Sequence, residues 1–112
     1  MLDPVLDLIA EIAYQALDRP GGCIAQGADL VIAPEKDYRV DVDAMLARVT
    51  DRTRFCTIAN PNNPTGTYIT GDEMRRLHAG LPGHCLFLID DAYAEYVTAA
   101  DYSDGADLVD EF

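Results

Sequence analysis

Apolar residues change their spacing several times along this 112-residue chain, and each change marks an element. Over 4–17, Val5, Leu8, Ile9, Ile12, Ala13 and Ala16 recur at three- and four-residue intervals behind Asp3 and Pro4. That spacing predicts an amphipathic helix with Asp3 as N-cap, ended by the turn residues 19–22. Leu30, Val31, Ile32 and Ala33 then predict a short strand. Val42, Met45, Leu46 and Val49 share one face of a helix expected over 41–50. Two continuous apolar runs, 54–59 and 85–89, read as strands covered on both faces, as in a parallel sheet. Between them Thr70 and Glu73 have capping-box spacing, opening a helix over 71–79 that Gly80, Pro82 and Gly83 stop.

Alternating helices and strands make an α/β layer with a parallel sheet the economical fold class, joined by right-handed crossovers. The runs 54–59 and 85–89 are expected to be neighbours. Loops leaving the carboxyl ends of parallel strands form the usual binding crevice, so 60–67 and 90–93 are expected to open on one edge. Asn62, Asn63, Thr65, Asp90, Asp91 and Tyr93 then become spatial neighbours. Each segment also has a plainer reading. The 62–66 stretch Asn-Asn-Pro-Thr-Gly suits a tight turn before a helix, and adjacent Asp90 and Asp91 suit the capping of the next helix.

An apolar fraction of 49% beside 25% charged residues is that of a chain that folds on a core. Twenty acidic residues against eight basic ones give a formal charge of −12, which repels phosphate backbones and acidic membrane surfaces and argues against nucleic-acid partners. Cys23, Cys56 and Cys85 form neither an even framework nor a close pair, so a disulfide scaffold is not indicated and the cytoplasm is the expected compartment. Apolar runs stay short of a membrane span, and the acidic N-terminus is unlike a signal peptide. His78 and His84 have no second ligand at metal spacing.

Taken together, the stretch 59–69, Ala-Asn-Pro-Asn-Asn-Pro-Thr-Gly-Thr-Tyr-Ile, and Asp90 placed 27 positions after Asn63 in Leu-Ile-Asp-Asp-Ala-Tyr-Ala-Glu-Tyr resemble the fold-type I pyridoxal-phosphate aminotransferases, closest to the histidinol-phosphate group. Asp91 stands where that family usually has Glu. The resemblance implies the large domain of the pyridoxal-phosphate transferase fold and amino-group transfer between an amino acid and a 2-oxo acid, of the histidine-biosynthesis type. It implies a hydrogen bond from Asn63 to the cofactor's phenolic oxygen, shared with Tyr93, and a pairing of Asp90 with the pyridine nitrogen. A carboxylate there keeps the ring protonated and able to accept electrons, while neutral donors stabilise the phenolate. A cis Asn63–Pro64 bond and a homo-oligomer are implied as well.

The likeness runs from Asp3 to the C-terminus with departures. The family's phosphate-binding loop would precede Met1, and around residues 22–27 the chain skips a strand and the aromatic residue that covers the ring. The amine-bearing lysine that the family places a strand beyond the Asp90 position has no counterpart. Lys36 is the single lysine, in a loop where a solvated surface role is expected. Residues 1–112 are therefore expected to form one partial large domain, without the lysine segment and the small domain, and to be inactive alone. The competing reading is a non-catalytic acidic interaction or dimerisation module on the same scaffold.

Overall fold

The computed structural model describes residues 7–11, 29–62 and 65–112. Within them four strands, β1 (Asp7–Glu11), β2 (Asp29–Ala33), β3 (Thr53–Ala59) and β4 (Leu86–Asp90), form one sheet in the order β2-β1-β3-β4. All three ladders are parallel, so the strands' carboxyl ends meet on one edge. Three helices follow the strands, α1 (Val42–Leu46), α2 (Gly71–Ala79) and α3 (Gly105–Val109), with a 3-10 turn at Ala94–Tyr96. The α/β parallel layer and the adjacency of β3 and β4 are as expected.

Side-chain alternation divides the sheet into two unlike faces. Cys56 and Ile58 of β3 lie opposite Phe87 and Ile89 of β4 and join a core made with Val42 and Met45 of α1, Met74 and Leu77 of α2, and Leu108 of α3. On the other face Phe55 and Thr57 lie opposite Leu86 and Leu88, which are 58% and 40% exposed. Covering is therefore one-sided for β4 among the described residues, where its apolar run predicts cover on both faces unless a missing element leaves one open.

Asp7–Glu11 corrects the expected helix over 4–17, whose remaining residues lie outside those described. An apolar triplet such as Leu8-Ile9-Ala10 suits either a helix face or a covered strand, and periodicity over so few residues does not separate them. Backbone pairing decides, because β1 has a parallel ladder on each side, to β2 and to β3. Helix α1 is shorter than the expected 41–50. Asp41 caps it by accepting from the Ala44 N–H at 3.1 Å, but beyond Leu46 the bonds from Arg48 to Met45 and from Val49 to Leu46 tighten into turns.

Helix α2 keeps its predicted limits. The Thr70 hydroxyl accepts from the Glu73 N–H at 3.2 Å, and the Glu73 carboxylate accepts from the Thr70 N–H at 3.4 Å. Arg39, in the loop after β2, then clamps Glu73 through both guanidinium ends and donates to the Tyr68 carbonyl at 2.8 Å. These bonds hold Glu73 below the usual carboxylate range and raise Arg39. The start of α2 is thereby tied to the loop that leaves β2.

Candidate active-site edge

The edge is assembled from the loop after β3 and the turn after β4. The Asn60 N–H donates to the Asp90 carbonyl at 2.8 Å, one step past the last register pair, Ala59 with Asp90. Chain direction then changes at the cis Asn60–Pro61 peptide. The Asn60 side chain, 1% exposed, accepts from the Ile69 N–H at 2.8 Å and donates to the Ile69 carbonyl at 3.2 Å. An amide side chain thus does for Ile69 what a neighbouring strand would do, and neither backbone group is left unpaired.

Asn62 closes the loop from within. Its N–H donates to the Thr67 carbonyl at 2.7 Å, its carbonyl accepts from the Gly66 N–H at 2.7 Å, and Gly66 takes φ +71°, a left-handed conformation that glycine adopts freely. The Asn62 side chain is 4% exposed and donates to Glu35 at 3.3 Å, while its buried Oδ1 has no hydrogen-bond partner among the described residues. Thr65 shares a 2.8 Å hydroxyl contact with Thr67, whose Oγ1 donates to the Tyr38 carbonyl at 2.5 Å. Asn63 and Pro64 lie outside the described residues, and with them the predicted cis bond and the expected Asn63 contact.

At the end of β4 the Asp90 carboxylate accepts from the Ala92 N–H at 3.2 Å, fixing the carboxylate at the strand terminus. Asp91 turns to another task, accepting from the Gly105 N–H at the start of α3 at 3.0 Å. The capping expected of these two acids is therefore divided between a local turn and a helix fourteen residues on. Tyr93, 45% exposed, pairs its ring with Tyr96 at 6.2 Å.

A hollow of about 440 Å³ lies between the two segments, with Asn62, Gly66 and Tyr68 on one side and Tyr93, Tyr96 and Val97 on the other. Of the residues expected to converge, Asn62 and Tyr93 line this hollow. Asp90 stands at the adjoining strand end, Thr65 is exposed, and Asp91 faces α3. Lys36 is exposed on a tight turn, with Asp37 and Tyr38 at positive φ, and lines a separate hollow of about 380 Å³ beside Arg39 and Glu73. Asn60 and Tyr102, which donates to the Asn60 carbonyl at 2.9 Å, were not foreseen. The available signal was Ile69, whose backbone needed a partner in a loop too short to supply a strand.

Residues 14–111 match the family model for aminotransferase class I and II. The chain belongs to that family. It is 51% identical to a histidinol-phosphate aminotransferase of Rhodospirillum centenum over 125 residues, covering 98% of this chain and 33% of the relative. A Rhodopseudomonas palustris protein of the same name is 56% identical over 90 residues, covering 80% of this chain and 25% of its own length. The chain thus spans about a third or less of the aminotransferases it matches. In three dimensions it resembles a Sinorhizobium meliloti histidinol-phosphate aminotransferase solved with pyridoxal-5'-phosphate, at TM-score 0.76 and 23% identity over 91% of this chain and 28% of that one. An aromatic aminotransferase from Pyrococcus horikoshii gives TM-score 0.75 at 25% identity, covering 94% of this chain and 31% of its own. These likenesses favour the aminotransferase reading of the sequence and lend none to the acidic interaction module.

Proposed function

We propose that this chain supplies the ring-facing part of the pyridoxal-phosphate site of a histidinol-phosphate-type aminotransferase, which transfers an amino group between an amino acid and a 2-oxo acid. The observation that carries this reading is the convergence, at the carboxyl ends of β3 and β4, of the loop residues Asn60, Pro61, Asn62 and Gly66 with Asp90 and Tyr93. When bound, pyridoxal phosphate supplies an electron sink beside the substrate's α-carbon.

The donor set suits the ring end of that cofactor. Asp90 is a carboxylate whose position is fixed by the strand end and by the Ala92 N–H, so it can hold a proton at the pyridine nitrogen. Tyr93 and Asn63 offer neutral donors for the phenolic oxygen. The amine end is another matter, because Lys36 sits on the turn after β2 and lines a different hollow. Residues 1–112 then form one partial large domain, with the lysine segment and the small domain outside them, and bind the ring without turning substrate over. The open face of Leu86 and Leu88 fits burial against further protein, in keeping with a homo-oligomer, and the cytoplasm is the expected compartment.

Titration of the chain with pyridoxal phosphate, followed by absorbance, tests the reading. Saturable binding is expected, weakened about tenfold or more in Asp90→Ala and several-fold in Asn63→Ala and Tyr93→Phe. Equal affinity in all four proteins would overturn it.

A further inference from the structure

Residues 101–108 return to the site edge and touch both of its loops. The Asp101 carbonyl accepts from the Gly71 N–H at 2.9 Å, and its carboxylate accepts from the Tyr68 hydroxyl at 2.6 Å. The Tyr102 hydroxyl donates to the Asn60 carbonyl at 2.9 Å, 42 residues away, and its ring meets Tyr68 edge-on at 5.9 Å. Gly105 donates to Asp91, and Leu108 is fully buried in the core. Gly71 permits this approach, since a Cβ there would collide with the Ser103 side chain.

We propose that residues 101–108 form a clasp that sets the turn after β4 against the loop after β3, with Tyr102 as a positioning residue for Asp90. The chain of contacts is continuous. Tyr102 holds Asn60 by its carbonyl, Asn60 holds Asp90 by its N–H, and the clasp reaches Asp91 again through Gly105. Asn60 precedes a proline, so its carbonyl belongs to a peptide with no N–H, and the Tyr102 hydroxyl caps the point where the β3 to β4 ladder ends. Burial, with Asp91, Asp104 and Asp107 nearby, pushes the Tyr102 hydroxyl up to about 12, so it keeps its proton and remains a donor throughout the physiological range. The consequence for the cofactor rests on the function proposed above, whereas the mechanical role does not.

Residue-resolved hydrogen exchange on the 112-residue chain tests the clasp in Tyr102→Phe, which removes the donor and keeps the ring. The Asn60 and Gly71 amides are expected to exchange several-fold faster while Met74 and Leu77 in α2 keep their rates. Unchanged protection at Asn60 would overturn the proposal, and so would faster exchange shared equally by α2, which signals global destabilisation. Asp91→Ala should release the Gly105 amide, and Asp91→Asn, which retains an acceptor oxygen, should restore it; equal release in both counts against the clasp. In the pyridoxal-phosphate titration Tyr102→Phe is expected to weaken binding several-fold. If the unmodified chain binds none, the cofactor reading fails and the exchange rates still decide the clasp.

Discussion

After β3 the chain makes its buried hydrogen bonds within ten residues, from Asn60 to Ile69 and from Asn62 to Gly66 and Thr67. After β4 the anchors come from farther along the chain, from Gly105 to Asp91 and, through Asn60, from Tyr102. The first loop is buried at Asn60, Pro61 and Asn62, while the second leaves Tyr93 and Tyr96 45% and 76% exposed. The two loops divide the labour of the site. One loop is a wall that closes its fully buried bonds within itself and is further tied by Glu35, Tyr38 and Tyr102, and the other is a turn that presents Asp90 and Tyr93 and takes its position from a later segment.

The contrast is broken most severely at Asn60. Asn60→Ala leaves the buried Ile69 N–H and carbonyl unpaired and is expected to cost about 2–4 kcal/mol, read as a lower denaturation midpoint. Raising pH should loosen the second loop by way of Tyr102. Its folded value lies near 12, above the ordinary 10, so its contribution is complete below pH 10 and declines as pH rises from 10 towards 12. Tyr102→Phe should flatten that part of the stability profile, measured by alkaline unfolding.

Arg39 and Glu73 offer a smaller, acid-side test. Glu73 is held below its ordinary 4.5, so its contribution is complete above that value and is lost as pH falls through the depressed one. Arg39→Ala is expected to cost about 1 kcal/mol or less at pH 7, given the partial exposure of both side chains, and less still once Glu73 is protonated in acid. The smallest effect belongs to Tyr96→Ala on the exposed turn, within about 0.5 kcal/mol, because the residue is 76% exposed.

What the sequence disclosed follows the same division. The capping box of α2, the positions of β3 and β4 to within one residue at their ends, and their adjacency are readable because each rests on local pattern: Thr70 with Glu73, and unbroken apolar runs. The strand Asp7–Glu11 is not legible locally, because its strand state comes from partners on both sides, which no window around Leu8 contains. Asp90 and Tyr93 were readable as site candidates from their motif, whereas Asn60 looked like one more turn residue. Its function depends on Ile69 and Tyr102, nine and 42 positions away. Helix α3 escaped notice because only Leu108 of its five residues is a large buried side chain, although Asp104 and Asp107 carry a visible cap.

Asp90 is proposed to face the ring nitrogen of bound pyridoxal phosphate. The most direct test is the nitrogen-15 spectrum of ring-labelled pyridoxal phosphate bound to the chain near pH 7.5. A pyridinium-type shift is expected with the native sequence and a neutral, pyridine-type shift in Asp90→Asn. An identical shift in the two proteins, or a ring nitrogen that titrates as it does in free solution, would contradict it.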